Sequence, residues 1–176
     1  MKSKTTINES IHHLEQFQKG EVFLSAGTAC SKIAMLEKGV MRGYVFGLDG
    51  DEITTHFYQE GDMIIGSYMP QMEVPMTIEA IIACQVSVAN YAEVMSWVNK
   101  DMELTKVVTQ QFQKEYYRSQ SRLVSLLNLN SLEKYKVFLE EYPGLINRIP
   151  HYYIAQYLGI TPTQLSRARK QLLNKC

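Results

Sequence analysis

Arg167, Arg169 and Lys170 crowd the stretch YLGITPTQLSRARK, residues 157 to 170, which has no acidic residue. Thr163, Gln164 and Ser166 stand among them. These side chains in this order suit recognition of nucleic acid rather than catalysis. An arginine bridges guanine O6 and N7, a glutamine bridges adenine N6 and N7, and hydroxyls serve either base. Placed on a helix, Thr163, Gln164, Ser166, Arg167 and Lys170 share the face opposite Leu165, Ala168 and Leu172. Arg167 is the first candidate for a base contact. Lys170, Arg169 and Lys175 suit phosphates, with a hydroxyl from Tyr152 or Tyr153 added to the backbone contacts.

Such a face works only if two short helices hold it out, and the local signals for both are present. Ala155 is the small residue needed where two helices cross, and Gly159, four positions later, accepts the positive φ of the turn. Ile154, Leu158, Ile160, Leu165 and Ala168 are spaced to point inward. Thr161, Pro162 and Gln164 announce the second helix as a capping hydroxyl, a proline at the first helical position and a reciprocal amide. The stretch therefore reads as a helix-turn-helix.

The charge distribution agrees. The whole chain of 176 residues is formally neutral, with 18 basic and 18 acidic residues. From Tyr142 to Cys176, however, there is no Asp or Glu, and Arg148, Arg167, Arg169, Lys170 and Lys175 give +5; the residues before hold 13 basic and 18 acidic side chains, or −5. A basic end on an acidic body points to a localised anionic partner. Cys30, Cys84 and Cys176 are far apart and read as free thiols. The amino terminus lacks the apolar segment of a signal peptide, and no run approaches the ~18 apolar residues of a membrane span. A cytoplasmic protein is expected.

Other chemistries lack their residues. A cupin-like metal enzyme needs two or three converging histidines with a carboxylate, and the strands hold no His-x-His pair. His56 is given no role. There is no Gly-x-Ser-x-Gly elbow and no cysteine with an evident base. No catalytic residue, metal or cofactor is expected, and the chain is not read as an enzyme.

Ahead of the basic end the chain changes character twice. A short amphipathic helix is expected around Glu9 to Phe17. EVFLSAG, KIAMLEKG, VMRGYVFG, DEITTHFY, DMIIGSY, MTIEAI and CQVSVANY then read as short strands of a sandwich or rolled barrel, with Asp49-Gly50 in a tight hairpin. From Ala92 the pattern is helical. Val108, Phe112, Tyr116, Ser119, Leu123 and Leu126 recur in steps of four and three, a stripe that can cover the barrel or pair with a second copy. NLNS, residues 128–131, reads as a hinge.

LEKGVMRGYVFGLDGDEITTHFYQEGDMIIGSY in the body and IAQYLGITPTQLSRARK at the end resemble the Crp/Fnr family of bacterial transcription regulators, in the branch common in Bacteroidetes. The resemblance implies an α+β fold. Residues 1–98 would form an N-terminal β-roll, the double-stranded β-helix of cyclic-nucleotide-binding-like domains. Residues 99–127 would form a long dimerisation helix. Residues 128–176 would form a helix-turn-helix with a short or absent wing. The function implied is that of a homodimeric, sequence-specific regulator binding double-stranded DNA at two half-sites roughly 34 Å apart, with RNA polymerase as a further partner. The family's reading positions fall on Thr163, Ser166 and Arg167. Many members carry Glu where this chain has Thr163, so a different site is expected.

The family's effector pocket falls at Ser67, Tyr68, Met76 and Thr77, with Met69 and Met72 beside them. Cyclic-nucleotide-binding members place there a Glu for the ribose and an Arg with Ser or Thr for the phosphate. No Lys or Arg occurs here from Gly43 through Asn99. A buried phosphate without a cation loses most of its stabilisation, so cyclic AMP is not the expected effector, whose identity stays open. The iron-sulfur branch needs a cysteine cluster that Cys30 alone does not make. The alternative is a module of the same fold, sensing a small molecule or binding a protein, that has lost DNA binding.

Overall fold

The computed structural model describes residues 13–67 and 72–174, and the chain divides into two compact units, Met1–Gln113 and Lys114–Cys176. In the first unit the strands are β1 (His13–Phe17), β2 (Val22–Leu24), β3 (Lys32–Lys38), β4 (Met41–Phe46), β5 (Glu52–Tyr58), β6 (Met63–Ile65), β7 (Thr77–Ala80) and β8 (Cys84–Asn90). They pair antiparallel into two four-stranded sheets, ordered β1-β8-β3-β6 and β2-β7-β4-β5. Alternation decides what they bury: in β8, Val86 and Val88 are buried while Gln85 and Ser87 are only partly covered. The core joins Ala34, Leu36, Ile64, Val86 and Val88 of one sheet to Met41, Tyr58, Ile78 and Ala80 of the other.

All seven expected strands are present, and the β4–β5 connection is the expected tight hairpin. Gly50 takes φ of 81°, its N–H donates to the Gly47 carbonyl at 3.0 Å, and the Gly47 N–H donates to the Asp51 carbonyl at 2.8 Å. The expected helix over Glu9 to Phe17 is corrected for its described part. His13–Phe17 is a strand, registered on β8 from His13 opposite Val88 to Phe17 opposite Cys84. Phe17 also packs edge-on against Phe23, with ring centres 5.6 Å apart. Strand pairing and that contact outweigh the local amphipathic pattern, a common outcome for a short segment. Residues 9–12 lie outside the described part.

Two helices follow, α1 (Tyr91–Val98) and α2 (Met102–Asn128). Asn90 caps α1 by accepting the Glu93 N–H at 3.2 Å, and Asp101 accepts the Glu103 N–H at 2.8 Å at the head of α2. Val98, Leu104 and Val108 form a second small core in this unit with Trp97 and Phe112. The division between the units falls within α2. Its later half joins α3 (Ser131–Glu141), α4 (His151–Leu158) and α5 (Pro162–Leu173) in the second unit. The break expected at residues 128–131 is where α2 ends, and there Asn130 begins α3 with a full capping box completed by Glu133. Tyr135, Phe138, Tyr142, Leu145, Ile154, Leu158, Leu165 and Ala168 are among the buried apolar residues of this unit.

Candidate nucleic-acid interface

α4 and α5 are joined by three residues, Gly159 to Thr161, and their ends are built as the sequence indicates. Gly159 adopts φ of 61°, the left-handed conformation glycine accepts without penalty. Thr161 Oγ1 accepts the Gln164 N–H at 3.2 Å, Gln164 Oε1 accepts the Thr161 N–H at 2.8 Å, and Pro162 takes the first helical position. Ala155, Leu165 and Ala168 are almost wholly buried at 1%, 1% and 2% exposure, so both helices turn their small and apolar residues inward.

What remains outward on α5 is Thr163, Gln164, Ser166, Arg167 and Lys170, all exposed. Thr163, Ser166, Arg167 and Lys170 stand at steps of three, one and three, the spacing of one helical face. The side chains of Arg167 and Lys170 form no hydrogen bond or ion pair among the described residues, so their charge is free for a partner. Two members of the expected set carry other duties. Gln164 lends its side-chain oxygen to the cap, which leaves its amide donor available outward and its acceptor engaged. Arg169, partly buried, turns back to α4, where its guanidinium donates to His151 Nδ1 at 3.0 Å. His151 Nε2 lies 3.2 Å from the Ile146 carbonyl and 3.2 Å from the same Arg169 nitrogen. Of the two tyrosines, Tyr152 is exposed at 47% and Tyr153 is buried at 8%. Lys175 lies outside the described residues.

Beneath this face is a polar network that sequence reasoning missed. Tyr157 donates its hydroxyl to Glu141 Oε2 at 3.2 Å, and Glu141 Oε1 is 3.9 Å from Arg118 Nε. Burial pushes the Glu141 carboxyl above its ordinary value, against the opposing pull of Tyr157, Arg118 and Arg122. Burial also raises the Tyr142 and Tyr157 hydroxyls, which stay neutral donors.

In the first unit the described members of the expected effector set have different neighbours. Met76 turns toward Gly43, where a Cβ would lie 2.4 Å from its sulfur, and Thr55 Oγ1 lies 3.5 Å from that sulfur. Thr77 points the other way, to the Ala26 N–H at 3.2 Å. Ser67 is buried, and Tyr68 lies outside the described residues. Arg42, the last cation before the stretch from Gly43 through Asn99 that holds none, is 1% exposed. It is bound by the carboxylates of Glu52 and Glu79, and also donates to Thr54 Oγ1 at 3.3 Å. A separate, shallow apolar pocket lies against the outer face of β3 and β8, lined among others by Met35, Met63, Trp97, Leu104 and Val108.

Comparison with known proteins places this architecture. Residues 14–101, half of the chain, match the model of the cyclic nucleotide-binding domain. The anaerobic regulatory protein of Haemophilus influenzae is 22% identical over 133 residues, covering 76% of this chain and 52% of that protein, so the chain spans about half the length of its curated relative. FixK2 of Bradyrhizobium japonicum superposes with a TM-score of 0.82 at 20% identity, over 93% of this chain and 85% of that one. A protein of Eubacterium rectale described as a transcriptional regulator of the Crp/Fnr family gives 0.69 at 16% identity, over 93% and 79%. The structural likenesses are likenesses of fold. They span both units, strands and terminal helices alike.

Proposed function

Since the chain belongs to the cyclic nucleotide-binding domain family and has the architecture of the Crp/Fnr regulators, we propose that it is a homodimeric, sequence-specific DNA-binding transcriptional regulator whose reading helix is α5. The observation that carries this is the face of α5. Thr163, Ser166, Arg167 and Lys170 are exposed together on a firmly capped helix, with no acidic residue from Tyr142 onward to oppose them. A helix face of this composition fits the major groove, with Arg167 on a guanine edge, Ser166 and Thr163 beside it, and Lys170 on phosphate.

The dimer is formed through α2. Tyr116, Tyr117, Leu123, Val124 and Leu127 are between 51% and 74% exposed on its second half. Tyr116, Leu123 and Leu127 fall at coiled-coil spacing, and a two-fold pairing through them presents two copies of α5 to an inverted repeat. A DNA-bound dimer acts on transcription by recruiting or excluding RNA polymerase. Cyclic AMP is not its effector in this reading, because Arg42 is committed to Glu52 and Glu79 and Met76 occupies the space above Gly43.

The test is a gel shift against random and genomic duplexes across a salt series. Binding is expected to be specific, and log K is expected to fall linearly with log salt with a slope of about −0.9 per phosphate contact. Binding that is absent at low salt, or that shows no sequence preference, overturns the reading.

A further inference from the structure

The second unit ties α4 to α2 through contacts that base recognition does not itself require. α4 ends in a glycine-terminated turn, in which the Ile160 N–H donates to the Ala155 carbonyl at 3.0 Å and the Gly159 N–H to the Gln156 carbonyl at 3.0 Å. These bonds serve two of the carbonyls that a helix end leaves without partners. In a continued helix the Tyr157 carbonyl would be served by the Thr161 N–H, but that donor is committed to Gln164 Oε1 at 2.8 Å. Arg122 of α2 donates to that carbonyl. Its Nε–H reaches the Tyr157 carbonyl at 3.1 Å, and its guanidinium lies 4.6 Å from the centre of the Tyr157 ring. A cation there also meets the negative end of the α4 dipole.

One turn further along α2, Leu126 meets the connection itself: a Cβ on Gly159 would lie 2.9 Å from Leu126 Cδ2. One turn back, Arg118 approaches Glu141, which holds the Tyr157 hydroxyl. Arg118, Arg122 and Leu126 follow one another at four-residue steps, so a single face of α2 registers the carboxyl end of α4.

We propose that Arg122, with Leu126 beside it, is a positioning residue for DNA recognition, fixing α4 and with it α5 in one orientation on α2. The inference rests on the DNA-binding reading above. α5 follows α4 after only three residues, so rotation of α4 on α2 swings the reading face. In a two-fold dimer joined through α2, the orientation of the two α5 helices sets which half-site spacing fits.

The experiment uses the full chain. A binding site is selected from random duplexes by the unsubstituted protein. Affinities are then measured for that palindrome, for palindromes with the spacer lengthened or shortened by one base pair, and for a single half-site. Arg122→Met keeps an apolar stem and removes the guanidinium. It is expected to weaken palindrome binding about tenfold, the scale of one charge-assisted hydrogen bond. It is also expected to flatten the spacer preference and leave half-site affinity unchanged. Leu126→Ala acts in the same direction and carries the test if Arg122→Met does not fold.

A spacer preference as sharp as that of the unsubstituted protein overturns the proposal. So does an equal loss on half-site and palindrome, which general weakening of the unit would produce. If the unsubstituted protein selects no sequence, the DNA-binding reading falls, and the clamp is judged by amide exchange alone. Faster exchange at Gly159 and Ile160 in Arg122→Met, at an unchanged melting temperature, upholds it, and unchanged exchange overturns it.

Discussion

Arg167 and Lys170 stand three residues apart on the same exposed face, yet their expected roles separate cleanly in a binding experiment. Arg167→Ala is expected to cost about 1 to 3 kcal/mol on the selected site and to relax the base preference at one position. Lys170→Ala is expected to weaken all sequences alike and to lower the salt slope by about one unit. Isotherms on matched and scrambled duplexes at several salt concentrations distinguish them. Glu141 makes a different prediction. Its carboxyl is held above its ordinary value chiefly by burial, so the folded state binds its proton more tightly than the unfolded chain does. The stability this gives is present at acid pH, below the unfolded-state value, and is lost as pH rises through the folded-state value. Melting temperatures of the helical unit across mildly acidic pH should therefore show a decline with rising pH that Glu141→Gln removes. A protein whose decline survives that substitution owes it to another group.

Elements differ in how much of them can be read from residue order. α5 was legible because each of its devices is local: Thr161 and Gln164 cap one another across three residues, and Gly159 turns the chain immediately before them. The strands were legible where alternation and turns coincide, as in the β4–β5 hairpin. β1 was not, because what makes it a strand is β8, reached only through the register of His13 on Val88 and of Phe17 on Cys84. The Arg42 cluster was invisible for the same reason. Its carboxylate partners lie 10 and 37 residues away, and a search of the segment from Gly43 onward stops one residue short of the cation. Arg122 meets the Tyr157 carbonyl across 35 residues, with no local pattern to announce it. The sheet that holds Arg42 should depend on it. Arg42→Met leaves Glu79, whose side chain is 12% exposed, without its counter-charge. A loss of about 3 to 5 kcal/mol is the range for breaking a buried pair from one side. Urea unfolding of the first unit measures it, and a loss under about 1 kcal/mol would show the cluster to be as weak as a surface pair.

At the scale of the molecule, a strand-bearing unit and a helical unit share one long helix, and the exposed apolar face of that helix lies in the helical unit. Leu123→Asp with Leu127→Asp places charges on residues 51% and 74% exposed, so the unit's own core is untouched. Sedimentation should show the proposed dimer replaced by monomer. Affinity for the palindrome should fall by on the order of a hundredfold, the lower end of what a second linked contact contributes, while a half-site is bound as before. A variant that stays dimeric would move the interface elsewhere. The chain has a single tryptophan, Trp97, on α1 at the edge of the apolar pocket, and the helical unit has none. Indole emission is thus an optical label for the strand-bearing unit alone. Followed alongside the far-ultraviolet helical signal in one denaturant series, it reveals whether the two units melt as one cooperative body or in succession.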